Sequence, residues 1–350
     1  MNAPDPLSRE AIEAGDPQGM LGDVIAQPLQ VGDALWRVES ARLTRRDLAG
    51  GLLVCGMGGS AIGGDLAAAA IGDRATRPIR TVRGYGLDPW TLGDTLVLCA
   101  SYSGGTEETL ACFESAGAVG TPRVALTTGG ALAEAARAEE LPVIGIPSGM
   151  QPRAAVIYMT IGALECAAAG GATESLRTEI DATGAVLTDL VEEWGPDSPP
   201  DSEAKTIAKT LNGTIPVVHG SGPTVAASRR WKTQLNENAK LAAFFGELPE
   251  ADHNEICAWE RGRAAAPLSA VFLEDSDQHP RMRERIELTC QAAGAAGAPV
   301  VRVSARGDNP VERTLSLVLL GDLVSVYLAT LAGVDPTPVE AIDRLKATLG

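Results

Sequence analysis

Two groups of residues in this chain have the types and spacing to do chemistry. The first is LVLCASYSGGTEETL, residues 96–110. An apolar run ends at Ala100, and Ser101, Ser103, Thr106 and Thr109 follow, with Gly104 and Gly105 among them. Small residues let the backbone come close to a ligand, and hydroxyls donate hydrogen bonds. The first N–H groups of a helix starting near Thr106, with Glu107 and Glu108 in its first turn, carry partial positive charge. Together they form an anion cradle suited to a phosphate monoester without a metal. The alternative is a capped helix, in which Ser103 or Thr106 only satisfies backbone donors. The second group is Asn236-Glu237-Asn238-Ala239-Lys240 at the end of a helix, followed by a loop from Gly246 to Glu255 that contains Asp252-His253-Asn254. A carboxylate and a histidine are the usual pair for moving protons near neutral pH. Read alone, these residues favour the plainer alternative: Glu237 a solvated helix glutamate, His253 a cap before Asn254.

A third stretch, Gly56-Met57-Gly58-Gly59-Ser60-Ala61, partly matches the dinucleotide fingerprint. A nicotinamide site wants an acidic residue at the end of the next strand, where this chain has Val82-Arg83-Gly84. An NADP-type reading through Arg83 is the lesser alternative. The better one is that Gly59 and its neighbours open a helix and let Ser60 approach a sugar.

The elements that must position these residues alternate. Strands are expected at 52–55, 79–82, 95–100, 123–127 and 143–146, with helices between them, and a long apolar helix after Pro152 is stopped at Gly170-Gly171. The rhythm restarts with strands at 215–219, 270–273 and 300–303 and helices at 224–240, 279–296 and 311–331. That is an α/β chain of two related halves, each a mainly parallel sheet flanked by helices. The expected boundaries are a leader and helix over 1–50, a first domain over 51–170, a helical linker over 171–210 and a second domain over 211–350. Residues 1–16 read as a loose leader.

Composition narrows the function. At 350 residues with 45% hydrophobic and 21% charged, the chain can build real cores, and with aromatics at only 4% those cores are aliphatic. A formal charge of −16 with no basic stripe argues against nucleic acid, so an anionic ligand must be drawn in by local groups. The six cysteines are scattered, with no pair spaced for zinc or a disulfide framework. The N-terminus does not read as a signal peptide, and no apolar stretch is expected to span a membrane, so a cytoplasmic protein is the expectation.

GMGGSAIGGD (56–65), SYSGGTEETL (101–110), PSGMQPRAA (147–155), NENAK (236–240), DHNEI (252–256) and PVEAIDRLKATL (338–349) occur in this order. The series resembles the bifunctional phosphoglucose/phosphomannose isomerase family, whose members have two sugar-isomerase (SIS) domains. The resemblance runs from about Met20 to the C-terminus. It implies that Ser101, Ser103 and Thr106 bind a 6-phosphate and that Gly59 and Ser60 touch the sugar or its phosphate. It implies Arg153 at the C1/C2 oxygens, Glu237 as the base, His253 opening the ring from the partner subunit of a homodimer, and Lys346 assisting. One departure is Gly105, where the family usually has asparagine.

The chemistry so implied needs no metal and no cofactor. His253 with Lys346 would open the ring of a hexose 6-phosphate. Glu237 would take the C2 proton, and Arg153 would stabilise the enediolate as an always-charged donor fork. Because the enediol loses the C2 stereochemistry, one intermediate serves glucose and mannose 6-phosphates. The alternatives are a sugar-phosphate-binding regulatory protein of little activity, or an isomerase of another phosphosugar.

Overall fold

The computed structural model describes residues 5–264 and 266–349. The chain divides into two compact units. The first comprises residues 26–188 with 307–315, and the second residues 1–25, 189–306 and 316–350.

The expected loose leader is folded. Helix α1 (Arg9–Gly15) is capped by the Ser8 hydroxyl, and Leu7 and Ile12 are fully buried. The signal was present: Ser8 stands before an apolar residue at helical spacing. Helices α2 (Met20–Ile25) and α3 (Gln27–Ser40) follow, and Pro28 starts the latter rather than interrupting it.

In the first unit come β1 (Leu52–Cys55), α4 (Gly58–Ile71), β2 (Ile79–Val82), β3 (Leu96–Ala100), α5 (Glu107–Val119), β4 (Arg123–Thr127), α6 (Gly130–Ala138), β5 (Val143–Gly145) and α7 (Val156–Ala169). All pairings are parallel, in the order β2-β1-β3-β4-β5. β1 and β3 are continuous apolar runs buried throughout, as strands covered on both faces must be. Helices α5 and α6 cover one face, over Leu53, Cys55, Val97 and Cys99. Right-handed crossovers of opposite direction send α4 to the other face, where it meets α7.

The stretch expected as a helical linker holds two helices, α8 (Arg177–Trp194), as the sequence suggested, and α9 (Glu203–Leu211). Ile180, Leu187 and Trp194 are buried, and the Lys205 ammonium is buried against the carbonyls of Pro196 (3.0 Å) and Ser198 (2.7 Å). Each helix is amphipathic and buries its apolar face.

The second unit holds β6 (Ile215–Gly220), α10 (Val225–Glu237), β7 (Phe244–Glu247), β8 (Leu268–Glu274), α11 (Pro280–Ala295), β9 (Val300–Ser304), α12 (Pro310–Ala332, from Ser316 on) and α13 (Glu340–Leu349). Its sheet is parallel, in the order β7-β6-β8-β9. β7 takes its last two residues, Gly246 and Glu247, from what the sequence suggested was a loop. It is a short edge strand with Phe244 exposed, so it lacks the buried run that marked the others.

The step β6→β7 runs one way across the sheet and β7→β8 the other, so their connections lie on opposite faces. α10 is on one face, with α12. The 3-10 turns Glu250–His253 and Glu255–Ala264 are on the other, packed with α11 around Trp259, Phe272 and Ile286.

α12 corrects an expectation: by length and composition it could cross a membrane, with a mean hydropathy of 2.0 over its most apolar window. That window is 83% buried, as befits the central helix of a core. Asp322 in its middle receives Arg230 of α10 in a two-pronged pair, at 3.0 and 2.6 Å, with both side chains nearly inaccessible. Trp231 Nε1 donates to the Leu317 carbonyl at 2.7 Å, and Asn238 to the Ser325 hydroxyl at 2.8 Å. Removing one partner of a buried pair strands the other charge, so Asp322→Ala should lower unfolding free energy by about 3–5 kcal/mol. Denaturant titration measures this, and a loss below about 1 kcal/mol would show that the pair does not hold α10.

Candidate active site

In the first unit the strand order reverses between β1 and β3, and the turns after these strands diverge. A crevice at the carboxyl ends of such strands is where open α/β sheets take their ligands.

The turn after β3 is shaped by its own hydroxyls. Ser101 is 1% exposed, its Oγ 2.8 Å from the Thr106 hydroxyl, and it accepts the Gly104 N–H at 3.1 Å. Thr106 is the N-cap of α5 yet makes no side-chain cap, because its hydroxyl is turned to Ser101. The capped-helix alternative therefore fails for Thr106, and the first N–H groups of α5 stay open to an anion. Ser103 is exposed and accepts the Gly105 N–H at 3.3 Å.

The two glycines of this turn differ. Gly104 has φ +69°, and a Cβ there would stand 1.8 Å from the Gly129 carbonyl oxygen, so no side chain fits. At Gly105 the nearest atom to a Cβ would be Ser103 Oγ, at 4.0 Å. The departure from the family's asparagine thus leaves space rather than relieving a clash.

The turn after β1 opens α4. Ser60 is 5% exposed and its Oγ accepts the Tyr102 N–H at 3.2 Å, which links the two turns. Gly59 touches a third segment: a Cβ there would lie 2.9 Å from the Pro152 carbonyl oxygen and 3.0 Å from Arg153 Cα. Arg153, in the 3-10 turn Pro152–Ala155, is 3% exposed, with one guanidinium nitrogen 3.4 Å from Gln151 Oε1. The field of a buried cation is screened less than that of the exposed charges that make up the overall −16. Gly59, Ser60, Ser101, Ser103, Thr106 and Arg153 are thus one neighbourhood.

Arg83, the arginine of the dinucleotide alternative, is held by Asp65 at 2.6 Å. That pairing leaves the alternative without its cation.

The other three residues belong to the second unit. Glu237 ends α10, half-buried. Lys240, in the left-handed region at φ +54°, donates its ammonium to the Glu237 carbonyl at 2.6 Å and the Pro336 carbonyl at 3.2 Å, closing the helix end. His253 is exposed, ending the 3-10 turn that Asp252 anchors to Arg285 (3.0 Å) and Thr289 (2.8 Å) of α11. Lys346 is exposed on α13. Because α10 and the 250–264 connection lie on opposite faces, the sheet separates Glu237 from His253 within a chain.

A family model described as the bacterial phospho-glucose isomerase C-terminal SIS domain matches residues 200–349. A bifunctional phosphoglucose/phosphomannose isomerase of Caldicellulosiruptor bescii is 39% identical over 301 residues, 85% of this chain and 89% of that one. The chain belongs to the bifunctional phosphoglucose/phosphomannose isomerase family. The Aquifex aeolicus isomerase of the same description is 34% identical over 85% of this chain and 90% of its own. Among solved structures, a hypothetical protein of Thermus thermophilus superposes with a TM-score of 0.71 at 17% identity, over 97% of this chain and 92% of that one, and so shares the fold.

Within this isomerase family chain, Tyr102 escaped the sequence reading. It stands between Ser101 and Ser103, and its position in the motif was the only signal. The two glycines also make a prediction. Gly104→Ala should abolish inhibition by inorganic phosphate or prevent folding, whereas Gly105→Asn should keep the melting temperature within about 2 °C and bind phosphate at least as well. Equal behaviour of the two variants would show that the turn is not shaped as described.

Proposed function

We propose that this protein interconverts glucose 6-phosphate and mannose 6-phosphate with fructose 6-phosphate through a cis-enediolate, without a metal. The observation that carries the reading is the convergence of the Ser101–Thr106 hydroxyls, the open helix start of α5 and the buried Arg153 in one neighbourhood of the first unit. Family membership supplies the hexose phosphates.

The phosphate is the anchor, held by hydroxyls and backbone N–H groups rather than by a lysine or arginine cluster. Anchoring a remote group turns binding energy into orientation of the reacting end. His253 with Lys346 moves a proton between O5 and O1, and the ring opens. Glu237 takes the proton from C2, and the electron pair of that C–H bond forms the C1=C2 bond while the C1 carbonyl oxygen becomes anionic. Arg153 meets that charge in a dry setting, where it needs no reorganisation. The O2 hydroxyl proton passes to O1, and return of the abstracted proton to C1, as the O2 electron pair forms the C2 carbonyl, yields the ketose. Planarity at C2 admits both aldoses.

The working form is a homodimer in which His253 serves the partner's site. The position of Glu237 and His253 on elements at opposite faces of one sheet supports this.

Glu237→Gln should cut turnover about 10²–10⁴-fold, the usual contribution of a general base, with wild-type turnover unchanged after EDTA treatment. A coupled assay on both aldose phosphates reads it, and tight binding of the sugars without turnover would favour a sensor instead. A mixing experiment tests the dimer. Glu237→Gln and His253→Ala homodimers, each inactive, should recover roughly one quarter of wild-type activity after reassortment, because half the dimers carry one intact site. A mixture that stays inactive would put His253 in its own chain's site.

A further inference from the structure

We propose that Tyr102 is a positioning residue that couples the phosphate-binding turn to Arg153 through its phenol. The inference rests on the reading of Arg153 given above and adds a residue to which no role has been assigned.

Tyr102 sits at the junction of the segments that form the crevice. Its N–H donates to Ser60 Oγ at 3.2 Å, joining the turn after β3 to the start of α4. Its carbonyl accepts the Thr128 N–H at 3.0 Å and the Thr128 hydroxyl at 2.9 Å, joining the same turn to the end of β4. These links are made by the backbone, and any residue at 102 would keep them. The phenol does something only tyrosine can do here. Its oxygen accepts the N–H of Met150 at 2.9 Å, 48 residues further along the chain.

Met150 belongs to an irregular stretch. Gly149 before it is in the left-handed region at φ +98°, and Gln151 and Pro152 lead directly into the 3-10 turn of Arg153. A stretch of this kind has no strand or helix ladder to fix it, so one long-range hydrogen bond has leverage over the residues beside it. Downstream, the same stretch is stopped by Gly59 against Pro152 and Arg153. Residues 150–153 are therefore gripped at one end by the phenol and at the other by α4. The gripped piece carries the guanidinium and Gln151, whose amide oxygen is 3.4 Å from it.

The consequence is a division of labour inside one residue. Its backbone serves the phosphate turn, and its hydroxyl sets Arg153. Removing the hydroxyl should therefore spare binding of a bare phosphate and weaken whatever depends on the guanidinium, which is the anionic end at C1 and C2.

The test is Tyr102→Phe, made in the wild type and in Arg153→Lys, which keeps a charge but loses the donor fork. Two ligands are titrated: inorganic phosphate, which reports the turn alone, and a hexonate 6-phosphate, whose carboxylate places negative charge at C1. In the wild-type background Tyr102→Phe should weaken the hexonate phosphate about 3- to 10-fold, as loss of one hydrogen bond to a partly buried donor does, and change inorganic phosphate less than about 2-fold. In Arg153→Lys the further loss should be less than about 2-fold, because the coupled partner is already gone. In turnover the same variant should lower kcat with KM for the aldose phosphate nearly constant.

Equal loss in both backgrounds would overturn the proposal, as would a parallel loss of inorganic phosphate or no loss at all. The binding arms need no catalysis, so they decide the role of Tyr102 even if the wild type turns over neither sugar. That last result would sink the isomerase reading alone.

Discussion

The contact on which the first unit depends is one without side chain on one side. Gly59 and Gly63, one turn apart on α4, press against the 152–159 stretch: a Cβ at Gly63 would stand 2.5 Å from Met159 Cβ, and one at Gly59 3.0 Å from Arg153 Cα. Helices that approach this closely leave no room to slide, and packed interiors resist deformation. The start of α4 and the turn carrying Arg153 are therefore placed by steric exclusion. The glycine motif has a mechanical role here, distinct from the pyrophosphate contact for which such motifs are better known.

Electrostatics builds on that placement. A chain of charge −16 repels phosphate at a distance, and the attraction has to be local. In the proposed mechanism the helix N–H groups, which cost no net charge, would hold the phosphate, and Arg153, kept out of water at 3% exposure, would meet the charge at C1 and C2. An exposed arginine would be screened and free to pair with surface carboxylates, as Arg83 does with Asp65. Burial spares Arg153 that screening.

In the second unit the equivalent constraint is polar. α10 is fastened to α12 by Arg230–Asp322, Trp231–Leu317 and Asn238–Ser325, three links spread along its length, and Lys240 closes its end. Directional links of this kind set the rotation of a helix as well as its distance. The face on which Glu237 emerges follows from them. A long apolar helix with a single acid in its middle would look wrong in isolation; beside Arg230 it is the register mark.

The sequence by itself determined the strands 52–55, 79–82 and 123–127 to the residue: the first and last are short, mostly apolar and buried runs, and 79–82 is a partly exposed edge strand rich in β-branched residues. The ordered motif series also pointed to the family that the relatives show, whereas the hydroxyl turn by itself left an anion cradle and a capped helix both open. The sequence misjudged α1, whose apolar half is hidden behind charge, and left unread α9 and the edge strand β7, whose Phe244 faces water. Only the tertiary structure decided that Gly104 admits no side chain while Gly105 does, that the Tyr102 phenol reaches Met150, and that a sheet stands between Glu237 and His253. The reason is one of range. Composition and spacing report the few residues along a chain that share a turn or a face, whereas a steric stop or a hydrogen bond between residues 48 apart exists only once the chain has brought them together.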